Sequence, residues 1–131
     1  MTLFVDASAL VAIIAGEADG PALAERVIAS PDPIWSAMSC WEAIAGLRHA
    51  KLYSLDEART EVEAFARSRP FRLVSIDEQE RRIALDAYHR FGKGRHPARL
   101  NMGDCFAYAC ARTNDAALLY KGDDFALTDL A

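Results

Sequence analysis

The chain has 131 residues, 52% apolar and 26% charged, with a formal net charge of −4. This length suits one domain over residues 1–131 with a substantial core, and the composition excludes a disordered chain. No apolar stretch reaches the ~18 residues of a membrane span and no leader pattern opens the chain, so a cytoplasmic place is expected.

Thr2 to Val5 reads as a buried strand, followed by a helix from Ser8 to Ala15. Residues Gly16 to Gly20 break the pattern, and Pro21 suits the first turn of a helix reaching Ser30. Pro31-Asp32-Pro33 ends that helix and leads into a short strand, Ile34 to Ser36. Helical spacing then runs from Met38 to Ala50, with Met38, Trp41, Ile44, Ala45 and Leu47 close to one face. Ser54 and Glu57 have the spacing of a capping box, opening a helix that ends before Pro70. Arg72 to Ile76 alternates as a strand, and Asp77 is placed to cap a helix from Glu78 to Phe91. A loop with two glycines and a proline covers Gly92 to Arg99, before a helix from Met102 to Thr113 and a strand from Ala117 to Tyr120. Strands separated by helices predict an α/β domain with a mostly parallel sheet covered on both faces. In such folds ligands bind outside the carboxyl ends of the strands.

Four acidic stations stand out against this pattern: Asp6 after the first strand, Glu42 on an apolar helical stretch, Asp104 beside Cys105 and Phe106, and Asp123-Asp124 after the last strand. A carboxylate near a core is costly unless it is paired or binds a metal. Each has a local explanation when taken alone. Asp6 can cap the first helix, with Ser8 orienting its carboxylate. Glu42 can pair with Arg48 or Lys51. Asp104, third in a helix capped by Asn101, is expected to have a low pKa near the positive end of the helix dipole. Asp123 and Asp124 can be solvated turn residues, although Phe125 pins their loop; Asp124 is favoured for the site and Asp123 is the alternate.

Taken together, the four stations point to a shared cation, and carboxylate oxygens suit Mg²⁺ or Mn²⁺. Cys40, Cys105 and Cys110 are odd in number without a CxxC pair, and His49, His89 and His96 lie outside the acidic stations, which argues against zinc or a disulfide framework. Two divalent ions would add four positive charges, so the negative net charge does not exclude a nucleic-acid substrate. No dinucleotide fingerprint, P-loop or nucleophile elbow is present. A receiver-like phosphoacceptor domain competes, because Asp77 and Lys121 also follow strands, yet only Asp6 follows the first strand where an acidic pair is wanted. A binding module without catalysis is the other alternative.

The residues Val5-Asp6-Ala7-Ser8-Ala9-Leu10, Glu42, Gly92-Lys93-Gly94-Arg95-His96, Leu100-Asn101-Met102-Gly103-Asp104-Cys105 and Leu118-Leu119-Tyr120-Lys121-Gly122-Asp123-Asp124-Phe125, with Thr128-Asp129, resemble the PIN-domain ribonucleases. Specifically, the chain resembles the VapC toxins of bacterial VapBC type II toxin–antitoxin pairs, and the resemblance runs nearly end to end. The resemblance implies a PIN-like α/β/α sandwich and a Mg²⁺-dependent endoribonuclease that hydrolyses tRNA or other structured RNA. It assigns Asp6, Glu42, Asp104 and Asp124 to an acidic quartet that is both catalytic and metal-binding, with Asp6 and Asp104 as principal ligands and Ser8 as the neighbouring hydroxyl. Lys93, Arg95, His96 and Arg99 are the expected RNA-phosphate contacts. It also implies a homodimer, and a hetero-oligomer with a VapB-type antitoxin seated near the helices Ala22 to Ala29 and Met38 to Leu47.

Overall fold

The computed structural model describes residues 1–94 and 96–130. The chain runs β1 (Thr2–Val5), α1 (Ala7–Ile14), α2 (Gly20–Ala29), β2 (Asp32–Ser36), α3 (Ala37–Lys51), α4 (Leu55–Ser68), β3 (Arg72–Val74), α5 (Glu78–Phe91), α6 (Met102–Thr113) and β4 (Ala117–Leu119). The sheet order is β3-β2-β1-β4, and all three pairings are parallel. The chain steps outward from β1 to β2 to β3, then returns through α5 and α6 to place β4 on the other side of β1. The direction of winding therefore reverses between β1 and β4, and such a reversal opens a crevice at the carboxyl ends of the strands.

The period-two alternation of side chains along each strand builds two cores. Leu3, Val5, Trp35 and Leu119 pack with Leu10, Val27, Leu47 and Val62 from α1 to α4. Their strand neighbours Phe4, Ile34, Val74 and Leu118 face the other way, against Ala87, Leu100, Tyr108 and Phe125. A parallel strand buried on both faces reads as a continuous apolar run, as Leu3-Phe4-Val5 does. Each fully buried large side chain contributes roughly 1.5–3 kcal/mol. The result is the expected α/β/α sandwich, with α1–α4 on one face of the sheet and α5–α6 on the other.

Helix starts follow local chemistry. The Ser54 hydroxyl accepts from the Glu57 N–H at 3.1 Å, and the Glu57 carboxylate accepts from the Ser54 N–H at 2.9 Å. Glu80 takes the Asp77 N–H in the same way at 2.8 Å, opening α5. At the far end of the chain, Tyr108 donates to Asp129 at 2.7 Å and Arg112 donates to the same carboxylate at 3.1 Å, tying residues 125–130 back to α6.

Several boundaries differ from expectation. β2 begins at Asp32, two residues earlier than the proline-rich segment suggests. Arg72 donates to the Asp32 carboxylate at 3.1 and 2.7 Å and Thr2 donates at 3.0 Å, so this residue links the first rungs of three strands. Pro33 fits because an extended backbone suits its ring and only one ladder donor is lost. β3 ends at Val74 and β4 at Leu119, each short of the predicted end. The face assigned to α3 holds for Leu47, which is buried, and for Ile44, which packs against the core, but not for Trp41, which is 71% exposed; Ser39 and Ala43 are buried instead. Apolar residues surround most of α3, and the side approached by α1 and α4 is the one that packs. Cys105 and Cys110 are buried and Cys40 is half-buried. Burial pushes the Cys110 thiol up to about 12, so it is inert. Among the described residues, no helix is long and apolar enough to cross a membrane.

Candidate active site

Asp6 follows β1 directly and caps α1. Its Oδ2 accepts from the Ser8 N–H at 3.0 Å and from the Ser8 hydroxyl at 2.5 Å. The Asp6 N–H itself donates to the Leu119 carbonyl at 2.9 Å, which locks the end of β1 to β4. Across the crevice, Asn101 caps α6. The Asp104 N–H donates to Asn101 Oδ1 at 2.9 Å, and the Asn101 N–H donates to Asp104 Oδ2 at 3.1 Å. Both aspartates therefore fill the helix-cap roles that local sequence predicts for them. They are nonetheless only 4% and 9% exposed.

A pocket of about 390 Å³ joins them. Asp6, Glu42, Asp104 and Asp124 all line it, together with Ser8, Glu17, Asn101 and Lys121. The four predicted stations, drawn from β1, α3, α6 and the loop after β4, thus meet at the reversal point of the sheet. Asp124 is in the pocket lining and Asp123 is not, which favours Asp124 as the fourth member. Among the described residues Glu42 makes no ion pair, so the predicted pairing with Arg48 or Lys51 is absent.

Crowding of acids shows in their protonation. Burial raises the Asp6 pKa above the usual carboxylate range, with Asp124 adding to the effect. Glu42 is raised to about 7 by burial and by Asp6. Asp104 is also raised to about 7, by burial and by its neighbours Asp6, Asp124 and Glu42. The expectation that its place at the helix start keeps the Asp104 pKa low is therefore wrong. The Asn101 N–H does pull it down, but desolvation and like charges outweigh one hydrogen bond.

The donor set is all oxygen, which fits a hard divalent cation. Among the described residues, however, no three His, Cys, Asp or Glu side chains are gathered tightly enough to hold a metal ion as they stand. Asp6 is turned to Ser8 and Asp104 to Asn101, each through its Oδ2. Mg²⁺ does not need a tight cage: it keeps several waters and takes one or two carboxylates with substrate phosphates.

Gly103 has a function that sequence reasoning missed. A Cβ built on it would overlap the Glu42 carboxylate, so the bare backbone at the second residue of α6 is the seat on which Glu42 rests. The signal is invisible locally, since it depends on how α3 and α6 approach each other. Gly103→Ala should leave the fold intact, displace the end of Glu42, and lower activity roughly 10- to 100-fold, as loss of a positioning contact does. Unchanged kinetics in that variant would show that the placement of Glu42 is not needed.

The basic loop behaves differently. Lys93, His96 and Arg99 do not line the acidic pocket, and Arg95 lies outside the described residues. His96 is used within the loop: its Nδ1 accepts from the Ala98 N–H at 3.0 Å and its ring meets Phe91 edge-on at 5.2 Å. Lys93 and Arg99 are exposed. The receiver-like arrangement fails on topology. Asp77 and Lys121 follow β3 and β4, which are the two outer strands of the sheet.

The PIN domain model matches residues 3–130. The chain therefore belongs to the PIN-domain family. Within that family, its relatives include a VapC ribonuclease of Rhizobium meliloti, 37% identical over 97% of this chain and 98% of that protein. Ribonuclease VapC42 of Mycobacterium tuberculosis is 35% identical over 98% of this chain and 96% of its own length. The fold is shared with the crystal structure of Mycobacterium tuberculosis VapC20, described as a sarcin-ricin loop cleaving toxin, at a TM-score of 0.74 and 20% identity over 95% of this chain and 92% of that one.

Proposed function

We propose that this chain is a Mg²⁺-dependent endoribonuclease toxin of a type II toxin–antitoxin pair, with Mn²⁺ able to substitute, acting on tRNA or another structured RNA. The observation that carries this reading is the convergence of Asp6, Glu42, Asp104 and Asp124 on one pocket at the β1–β4 crevice. Asp6 and Asp104 are the principal holders of the cation, and Glu42 and Asp124 complete the set directly or through water. When bound, a divalent cation lowers the pKa of a water and offsets charge on the phosphate.

The chain's own groups prepare this site. Ser8 fixes Asp6 by two hydrogen bonds, and Asn101 fixes Asp104 through Oδ2. Glu42 and Asp104 titrate near 7, so cation binding at neutral pH displaces protons from them. In the reaction, water adds across the P–O3′ bond. Its oxygen stays on phosphorus, one proton goes to the departing 3′ oxygen, and the products carry 5′-phosphate and 3′-hydroxyl ends.

Lys93 and Arg99, with Arg95, remain the proposed contacts to flanking phosphates. The exposed apolar residues Ile28, Trp41 and Leu55 on α2, α3 and α4 support docking of a VapB-type antitoxin, with the toxin as a homodimer within a larger toxin–antitoxin assembly. The test is cleavage of total RNA with mapping of the new ends. Cleavage should require Mg²⁺ or Mn²⁺, stop in EDTA and leave 5′-phosphates. Undiminished cleavage in EDTA, or cyclic 2′,3′-phosphate ends, would overturn the mechanism.

A further inference from the structure

Among the described residues, five carboxylates line the acidic pocket (Asp6, Glu17, Glu42, Asp104 and Asp124), and Lys121 is the one cationic side chain in that lining. Lys121 is also tied to the reacting centre through its backbone. Its N–H donates to the Ser8 hydroxyl at 3.0 Å, and that hydroxyl donates to Asp6 Oδ2. The start of the lysine side chain is thus held at a fixed place relative to Asp6, while four flexible carbons carry the ammonium. That ammonium rests on Glu17, with Asp19 at 3.6 Å, and the pair is about one-third exposed on both sides. Ion pairs of this exposure contribute little to stability and exchange readily for another anion.

A phosphodiester entering this pocket meets a wall of negative charge, and charge builds further on its oxygens during in-line attack. A point cation on a long stem suits phosphate. We propose that Lys121 is a substrate-contacting residue: its ammonium leaves Glu17 and Asp19 when RNA enters and donates to a nonbridging oxygen of the phosphate at or next to the cleaved bond. Glu17 and Asp19 are then the resting seat of the lysine and compete with the substrate for it. This inference rests on the nuclease reading and adds to it a phosphate contact from outside the acidic quartet.

The competing explanation is a purely structural clasp between the β4 loop and the α1–α2 turn, and the two differ in sign. A clasp loses the same interaction whichever end is removed. A substrate contact makes the two ends opposite in effect. With total cellular RNA as probe, Lys121→Met should lower kcat/KM roughly 10- to 100-fold, and Lys121→Arg should restore much of it. Glu17→Gln should hold kcat/KM at or above the wild-type value. The dependence of log affinity on log salt should be shallower by about one phosphate contact in Lys121→Met and unchanged in Glu17→Gln. Mn²⁺ affinity should not fall in Lys121→Met, because the lysine is not a ligand. Wild-type cleavage by Lys121→Met, or equal losses in Lys121→Met and Glu17→Gln, overturns the contact while leaving the nuclease reading in place. Absence of cleavage by the wild-type protein in both Mg²⁺ and Mn²⁺ overturns that reading and the inference with it.

Discussion

Asp6→Asn should reduce RNA cleavage by about a thousand-fold or more, the equivalent of roughly 4 kcal/mol of transition-state stabilisation. The substitution keeps the shape of the side chain and an oxygen able to accept from Ser8, and it removes the charge on which cation binding depends. It should not harm the fold. Asp6 is 4% exposed and its pKa is raised by burial, so the charged form is the strained one. Replacing it with a neutral isostere relieves desolvation and repulsion from Asp124. The expected outcome is therefore an inactive protein whose melting temperature equals or exceeds that of the wild type in EDTA. Retained cleavage would remove Asp6 from the chemistry, and a large loss of stability would mean that its main role is capping α1.

Without a divalent cation, stability should fall as pH rises through neutrality. Glu42 and Asp104 both have folded pKa values near 7, above their ordinary carboxylate range. Between about pH 4.5 and 7 the folded chain thus binds more protons than the unfolded one, and stability declines with pH across that interval. The contribution is intact below the unfolded pKa values and is lost once pH passes the folded ones. After allowance for coupling between the two groups and for partial exposure of Glu42, the loss amounts to roughly 1–3 kcal/mol between pH 5 and pH 8. Carboxylates shifted the other way, such as Asp32 beside Arg72 and Glu57 at the start of α4, titrate below this window and do not mask it. Mg²⁺ should reverse the trend, raising the melting temperature more at pH 8 than at pH 5.5, because binding to the folded state alone stabilises it. Thermal melts in EDTA and in Mg²⁺ at both pH values would check this. A flat profile, insensitive to Mg²⁺, would mean that the carboxylates neither crowd one another nor share an ion.

What was legible in the sequence was local or periodic. The capping boxes at Ser54 and Asn101 show in a three-residue spacing, and Leu3-Phe4-Val5 shows its two-sided burial directly. Asp6 and Asp124 could be placed at the sheet's carboxyl edge because each follows a strand. Properties set by distant packing were not legible. Asp32 reads as part of a proline break, and only its pairing with Thr2, 30 residues away, and the Arg72 side chain, 40 residues away, make it the first rung of a strand. Trp41 and Ala43 are both apolar and two residues apart, and nothing nearby says which of them α1 and α4 will cover. The protonation of Asp104 escapes the sequence for the same reason: the helix start is visible there, but the three acids from other elements are not. The seat that Gly103 offers Glu42 exists only once α3 and α6 have met.

The pairing of β1 with β4 has a consequence for how the protein is made. Asp6 is synthesised 118 residues before Asp124, and the two become neighbours only when β4 lies down beside β1. A nascent chain therefore carries an incomplete pocket until β4 has emerged and paired with β1.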